Sequence, residues 1–419
     1  MQKILEVLWF VLIVIMLFNA IYFSIKLSFP QLKIIKMIKE IFSKEDKKNI
    51  STMDTLVMML GSKIGVGSIA GISFAIYYGG IGSIFWIWIT TIFFAMNSFL
   101  ENYFATIYKE EDGILKKGGP SYYIKNGLNK KYLSYIYGII LIITYIIGFL
   151  SIQTNTISVL TNNIFYIDKK IIGLIIVLLS AYFIFKGLEA ISNISNIIIP
   201  IMSLMYIIIG ILISILNIDK MPLFFKDIMS SCFSLKEGLT GFITSFYIGI
   251  KRSLFACESG IGSGAILSGA TDDNNMIKQG YVGVFVTYFI NFVVTTITAI
   301  IIYLIPRTNL NILNGIELSK YAFYYHLQEF GEGILLILII LFAFSTIVTG
   351  YYYGESTLKL FTKNKVVIFL LKIITLFFLY LGSVISSLTI WSLIDLFLAI
   401  LGIINCYSLF KLRNKISKV

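Results

Sequence analysis

The sequence predicts an all-α integral membrane protein of about eleven transmembrane helices, arranged as a 5+5 inverted repeat behind one extra N-terminal helix. Three observations predict it: a shortage of charge, charge-free runs of bilayer-spanning length, and two glycine-rich interruptions five spans apart. Of 419 residues 13% are charged, with a mean hydropathy of +0.88; soluble domains carry roughly 25%. Residues 7–25, 171–185, 197–216, 281–305 and 333–353 contain no Lys, Arg, Asp or Glu, and a helix needs about 20 apolar residues to cross the hydrocarbon core. These figures exclude a soluble enzyme, a disordered chain and a lone anchor on a soluble domain.

The first span lies near 5–26. Its charge-free run is too long for a signal-peptide core and no small-residue cleavage site follows, so it reads as a retained helix. Residues 1–30 are thus an extra N-terminal span. Residues 31–50 follow as a cytoplasmic segment in which Leu32, Ile34, Ile35, Ile38, Ile41 and Phe42 recur at helical spacing against Lys33, Lys36 and Lys39. That pattern predicts an amphipathic helix on the inner leaflet. Further spans are expected near 53–76, 82–108, 133–161, 170–187 and 193–217, then 238–269, 277–305, 332–360, 366–387 and 391–410. They form two units, 51–217 and 236–412, ahead of a tail at 413–419.

Loops after odd-numbered spans collect most of the basic residues: Lys26 to Lys48, Lys109 to Lys131, Lys186, Lys278, Lys359 to Lys365, and the tail. The opposite side holds Lys3, Lys169, Lys170, Lys220, Lys226, Lys236, Arg307 and Lys320. By the positive-inside rule the N-terminus faces out and the C-terminus faces the cytoplasm. The net charge of +12 is therefore mostly topology, and no nucleic-acid partner is expected. Cys232, Cys257 and Cys406 show neither disulfide nor zinc spacing, and no cofactor is implied.

Two spans are interrupted. Gly61-Ser62-Lys63-Ile64-Gly65-Val66-Gly67-Ser68 puts glycines and a lysine at mid-bilayer in the second, and Glu258-Ser259-Gly260-Ile261-Gly262-Ser263-Gly264 does the same in the seventh, after Lys251-Arg252. Glycine costs about 1 kcal/mol in a helix interior and a central lysine about 2.5–3.5 kcal/mol. Close helix packing explains one glycine well, but not this clustering twice. Unwound backbone is tolerated there only where it lines a cavity. Its amides suit a carboxylate, and its carbonyls a small cation or ammonium. The odd offset between the breaks makes the two five-helix units antiparallel, as in secondary transporters.

At these residues the chain resembles the alanine/glycine:cation symporter family, of leucine-transporter-like fold, within the amino acid–polyamine–cation superfamily. The resemblance covers nearly the whole chain. It is carried by Gly65 to Gly71, Gly79 to Trp88, Glu101, Gly118 to Tyr123, Gln153-Thr154-Asn155, Arg252 to Ser263, Phe342 to Val348 and Tyr353-Gly354-Glu355. It implies a multi-pass cell-membrane symporter, not an enzyme, that couples a cation, usually Na⁺, to uptake of alanine or glycine. Carried over by motif, Gly65, Val66, Gly67 and Ser68 receive the substrate carboxylate and carbonyls around Cys257 and Ser259 its ammonium, with Gln153 and Phe255 as contacts. Gly61, Ile64, Ser345 and Thr346 form the Na⁺ site; Lys63, Glu101, Arg252 and Glu258 are gating or ion-pair residues.

The chain departs from the family pattern at Val66 (Thr or Ser there), at Ser68 (Asn there), and in reading Cys257-Glu258-Ser259-Gly260 where N-E-A-G is common. H⁺ as driving ion, and a non-transporting membrane sensor, stay open as alternatives. Nothing specifies an oligomeric state. Glu101 is expected to pair with Lys63, Lys251 or Arg252, and Arg252 with Glu258 or Glu101, since a buried lone charge is costly. Asp54, Glu355 and Asp395, near span ends, are expected to snorkel. Trp86, Trp88 and Trp391 are expected as interface anchors, and His326 in a solvated loop. Asn155 reads as an interhelical bond; Gln153 reads equally as that or as a ligand contact.

Overall fold

A computed structural model describes residues 2–44, 49–112, 115–233, 238–306, 313, 315–385 and 387–416. Lys47, Lys48, Lys236, Arg307 and Lys418, used in the charge count, lie outside them. The helices are α1 (Gln2–Lys26), α2 (Ile34–Ile41), α3 (Thr52–Lys63), α4 (Val66–Gly79), α5 (Ser83–Ile107), α6 (Lys131–Phe165), α7 (Lys169–Lys186) and α8 (Leu188–Leu216). They continue with α9 (Met221–Ser231), α10 (Gly238–Cys257), α11 (Ala265–Ala270), α12 (Met276–Tyr303), α13 (Gly315–Leu327), α14 (Glu329–Phe361), α15 (Lys365–Val384) and α16 (Ser387–Lys411). A two-stranded hairpin, β1 (Glu110–Asp112) with β2 (Leu115–Lys117), follows α5.

Eight of the described helices, α1, α5, α6, α8, α12, α14, α15 and α16, are long and apolar enough to cross a bilayer. α3 and α4 together make a ninth, bent by 42°. At the other two expected positions the chain is helical, but α7 carries Lys169, Lys170 and Lys186, and α10 is separated from the short α11 by a break. Length and composition therefore support eight or nine crossings, fewer than the eleven expected. The 5+5 repeat remains an expectation.

Packing follows the uneven distribution of small and polar groups. α5 runs along α12, α15 covers α6 and α7, and α14 lies against α3, α6 and α8; α10 packs between α4 and α5, and α1 lies on α16 and α5. Polar side chains tie α1 in place: Trp9 Nε1 donates to the Asp395 carbonyl at 3.1 Å, and Asn19 Nδ2 to the Cys406 carbonyl at 2.7 Å. α2 presents Ile34, Ile35 and Ile38 outward but buries Met37 and Ile41 against its neighbours, chiefly α12. Ile41 is therefore on the protein side, a correction to the expected apolar face.

At the lysine-rich face the chain before α3 is fastened to the loop after α11. Asp272 accepts from the Asn49 and Ile50 amides at 2.9 and 3.2 Å, Thr52 Oγ1 donates to Asp273 at 3.0 Å, and Lys109 Nζ donates to the Thr271 and Asp273 carbonyls at 2.9 and 2.6 Å. Beneath this knot the backbones of Gly118 and Gly269 touch. A Cβ on Gly269 would stand 2.3 Å from Gly118 Cα, with nothing flexible to yield. Gly269→Val is therefore expected to cost at least about 1–3 kcal/mol, read as a lowered melting temperature of the purified protein in detergent.

Candidate functional site

The first break begins where Ile64 (ψ 80°) and Gly65 (φ −123°, ψ −159°) leave helical geometry, stranding backbone groups on both sides. The partners come from other helices. The Gly61 carbonyl accepts from Ser345 Oγ and Thr346 Oγ1 of α14, both at 3.0 Å, and the Val66 amide donates to Gln153 Oε1 of α6 at 3.2 Å. Glycine is required here by close approach. A Cβ on Gly65 would lie 2.8 Å from Thr346 Oγ1 and 3.2 Å from the Gln153 amide, and one on Gly67 2.8 Å from the Phe255 ring. Ser68 Oγ turns back to the Gly65 carbonyl at 2.9 Å, while its own carbonyl accepts from Thr298 at 3.0 Å. Ile64, Val66, Ser68, Gln153, Ser345 and Thr346 are all buried.

The second break, from Glu258 to Gly264, winds through left-handed backbone at Gly260 (φ 81°) and Gly262 (φ 96°), and at Glu258 (φ 50°), where a side chain makes that conformation costly. Glu258 is held there by its carboxylate, which accepts from Tyr145 Oη at 2.5 Å and from the Ser263 hydroxyl. The freed carbonyls are again satisfied from elsewhere: Ile261 by Tyr137 Oη at 2.5 Å, Gly260 by Asn405 Nδ2 at 3.0 Å. Ser259 Oγ is engaged with Thr287 Oγ1 at 2.8 Å, and Cys257 is fully buried at the end of α10. The two breaks face each other: Phe255 covers Gly67, and the Lys63 ammonium stands 3.1 Å from where a Cβ on Gly264 would be.

Above the first break the aromatic rings stack. Phe255 lies between Phe149 (centroids 5.1 Å) and Trp391 (4.5 Å), and the Arg252 guanidinium sits over Phe74 and Trp391 at 5.3 and 5.1 Å. Cation–π contact thus replaces the expected pairing of Arg252 with Glu258 or Glu101. Lys251 pairs instead with Asp395, a buried carboxylate that does not snorkel. Nor does Glu355, buried and 2.5 Å from Lys359, or Asp54, which caps α3 through Ser51 and accepts from Asn196 at 2.6 Å. Glu101 has no ion-pair contact among the described residues; its Oε1 accepts from Asn405 at 3.2 Å.

Trp391 is a buried roof residue, not an interface anchor, and Trp86 and Trp88 donate inward to the Cys232 carbonyl and Thr296 at 3.0 and 2.9 Å. His326 lies on α13, half-buried, 3.0 Å from the Ile301 carbonyl. Asn155 does bridge helices, to the Gly382 and Ile385 carbonyls at 3.0 and 2.7 Å. The sequence reading missed Tyr145, Thr298, Asn405 and the roof role of Trp391. An isolated Asn in the apolar run Ile403-Ile404-Asn405-Cys406 is the one signal that pointed there.

Oxygen donors from a carbonyl and two hydroxyls suit a hard monovalent cation. A peptide N–H at a half-helix start suits a carboxylate. Discontinuous helices meeting within a helical membrane bundle are an arrangement that secondary transporters use to bind substrate and ion. In agreement, the chain superposes on the solved MhsT–L-phenylalanine complex with a TM-score of 0.64 at 15% identity, covering 86% of this chain and 89% of that one. The model of the sodium:alanine symporter family matches residues 1–419, and the chain belongs to that family.

Its relatives include the probable sodium/glutamine symporter GlnT of Bacillus subtilis (30% identical, 99% of this chain and 90% of that one) and the sodium/alanine symporter AgcS of Methanococcus maripaludis (29%, 96% and 92%). The protein is therefore a multi-pass membrane sodium/amino-acid symporter and not an enzyme. If Thr346 supplies a cation ligand, Thr346→Val should raise the Na⁺ concentration for half-maximal stabilisation about tenfold or more. A bond to a charged group is worth about 1.5–3 kcal/mol, and the measurement is a Na⁺ titration of the melting temperature.

Proposed function

We propose that the chain imports a small neutral amino acid, alanine or glycine, together with Na⁺ by alternating access, with its N-terminus outside and its C-terminus cytoplasmic. Residues 51–217 and 236–412 act as the two inverted units, residues 1–30 as the added span, 31–50 as the membrane-surface segment and 413–419 as the tail. The observation that carries this reading is the first break itself. The Gly61 carbonyl with Ser345 and Thr346 lies beside the Val66 amide, and Gly65 is the link, pressed against both Thr346 and Gln153.

In this reading Na⁺ takes the carbonyl and hydroxyl oxygens of Gly61, Ile64, Ser345 and Thr346, and both hydroxyls turn their hydrogens away from Gly61. The substrate carboxylate takes the Val66 and Gly67 amides, displacing the Gln153 oxygen, which moves to contact the substrate. The ammonium meets carbonyls near Cys257 and Ser259. Phe255 and Trp391 close the site above, and Phe255 against Gly67 sets its size. Ion and substrate then select the same closed arrangement, so each raises the affinity for the other.

The test is counterflow in proteoliposomes with a panel of small amino acids. Alanine or glycine exchange should fall about tenfold when choline replaces Na⁺; equal exchange with the proton gradient collapsed would sink coupled symport. Phe255→Ala should relax size selection, so that glutamine competes for labelled alanine in the variant and not in the parent. Unchanged competition would remove Phe255 from the site.

A further inference from the structure

Three ionisable side chains in or beside the breaks play no part in holding Na⁺ or the amino acid as proposed above. Lys63 ends α3, Glu101 lies in α5, and Glu258 opens the second break; they are 3%, 0% and 1% exposed. The Lys63 ammonium makes no hydrogen bond among the described residues, and neither does Glu101 Oε2. Both carboxylates feel the lysine charge, and they repel each other. Two carboxylates against one ammonium leave a net buried negative charge unless one of them is neutral. A buried unpaired carboxylate is among the costliest arrangements a fold can hold.

The two carboxylates are not equivalent. Glu258 Oε2 receives hydroxyls from Tyr145 and Ser263, which stabilise its ionised form. Glu101 receives Asn405 on Oε1 and faces the Gly260 and Gly262 amides, with Oε2 bare. The other titratable groups facing these carboxylates are Tyr123 in the turn after Pro120, Tyr137 and Tyr145 of α6, Tyr353 of α14 and Cys406 of α16, while Cys257 of α10 lies by Lys63. Tyr123 bonds Asn405, Tyr137 the Ile261 carbonyl and Tyr353 Ser62. A buried phenol or thiol is neutral near pH 7, so Lys63 and Glu258 supply the formal charges around Glu101.

We infer that Glu101, Glu258 and Lys63 form a proton-binding site joining the two breaks, in which Glu101 carries the proton while Lys63 balances Glu258. The exchange is one O–H bond at Glu101 Oε2 made or broken, with water as donor or acceptor. Release of that proton requires Lys63 to serve both carboxylates. Lys63 belongs to the first break and lies against Gly264 of the second, so a relative movement of the two breaks changes the proton's hold. The site goes beyond Na⁺ coupling and stands whether or not Na⁺ drives uptake.

The test reads the proton directly in purified protein, without transport. Infrared difference spectra between acid and alkaline buffer should show the carbonyl stretch of a protonated buried carboxyl. Glu101→Gln should remove that band. Glu258→Gln should keep it but move its titration acid, because a neighbouring negative charge is lost and Lys63 is freed for Glu101. Lys63→Met should move it alkaline by about one unit or more, because losing a nearby positive charge favours the protonated acid. Size-exclusion profile and melting curve check the fold of each variant. A band that survives in folded Glu101→Gln, or no such band in the parent, would overturn the assignment. If Glu101→Gln fails to fold, an unshifted titration in Lys63→Met overturns it equally.

Discussion

Backbone groups freed inside a bilayer have no water to turn to, and the structure is arranged around satisfying them. Each break strands carbonyls and amides at mid-membrane, where an unsatisfied group costs several kcal/mol. Apart from Ser68, which turns back to the Gly65 carbonyl, the caps described at the breaks come from other helices. Gly61 is served by α14, Val66 by α6, Ile261 by α6 and Gly260 by α16. The helices that surround the site are therefore held there by the same hydrogen bonds that make unwinding tolerable. Two breaks, rather than one, pull α6, α14 and α16 around a common centre.

That dependence explains where sequence reasoning reached and where it stopped. The breaks were legible because glycine and lysine in an apolar run are conspicuous, whereas Ser345 and Thr346 came only from the family resemblance. The family resemblance then supplied Gln153. Their partners were not legible. Tyr137, Tyr145 and Asn405 are ordinary side chains inside ordinary spans, and only the approach of distant helices turns them into caps. Charge was misread for the same reason. Asp395 looks like a span-end residue by position, yet α10 brings Lys251 to it and α1 places Trp9 beneath that lysine. Arg252 was assigned a carboxylate because a buried charge needs compensation. The compensation is aromatic, and two rings on other helices cannot be counted from spacing.

The departures from the family pattern acquire a physical meaning in this geometry. At Val66 the side chain is buried while the amide does the polar work toward Gln153, so loss of a hydroxyl there leaves the backbone function untouched. Ser68, in place of a longer amide, folds its hydroxyl back onto Gly65 and contributes to the break's shape instead of reaching outward. The changes fall on side chains, while the backbone contacts, and the glycines that permit them, are present.

The two breaks are not interchangeable, and the difference lies in what caps them. The first is closed by small, rotatable groups: two hydroxyls and one amide, each able to trade its present partner for an ion or a carboxylate at little cost, since one hydrogen bond is exchanged for another. The second is closed by Tyr137 and by Asn405, the latter held in turn by Tyr123 and Glu101, and by the Glu258 carboxylate gripping Tyr145 and Ser263 from a left-handed backbone. Opening that network leaves buried polar groups bare on several helices at once. In the proposed reading the first break is thus the exchangeable half of the site and the second its fixed wall. Phe255 lies near the end of the helix that leads to the second break, but its ring lies over Gly67 of the first, so in the proposed reading a displacement of the first break's caps reaches the second through that ring.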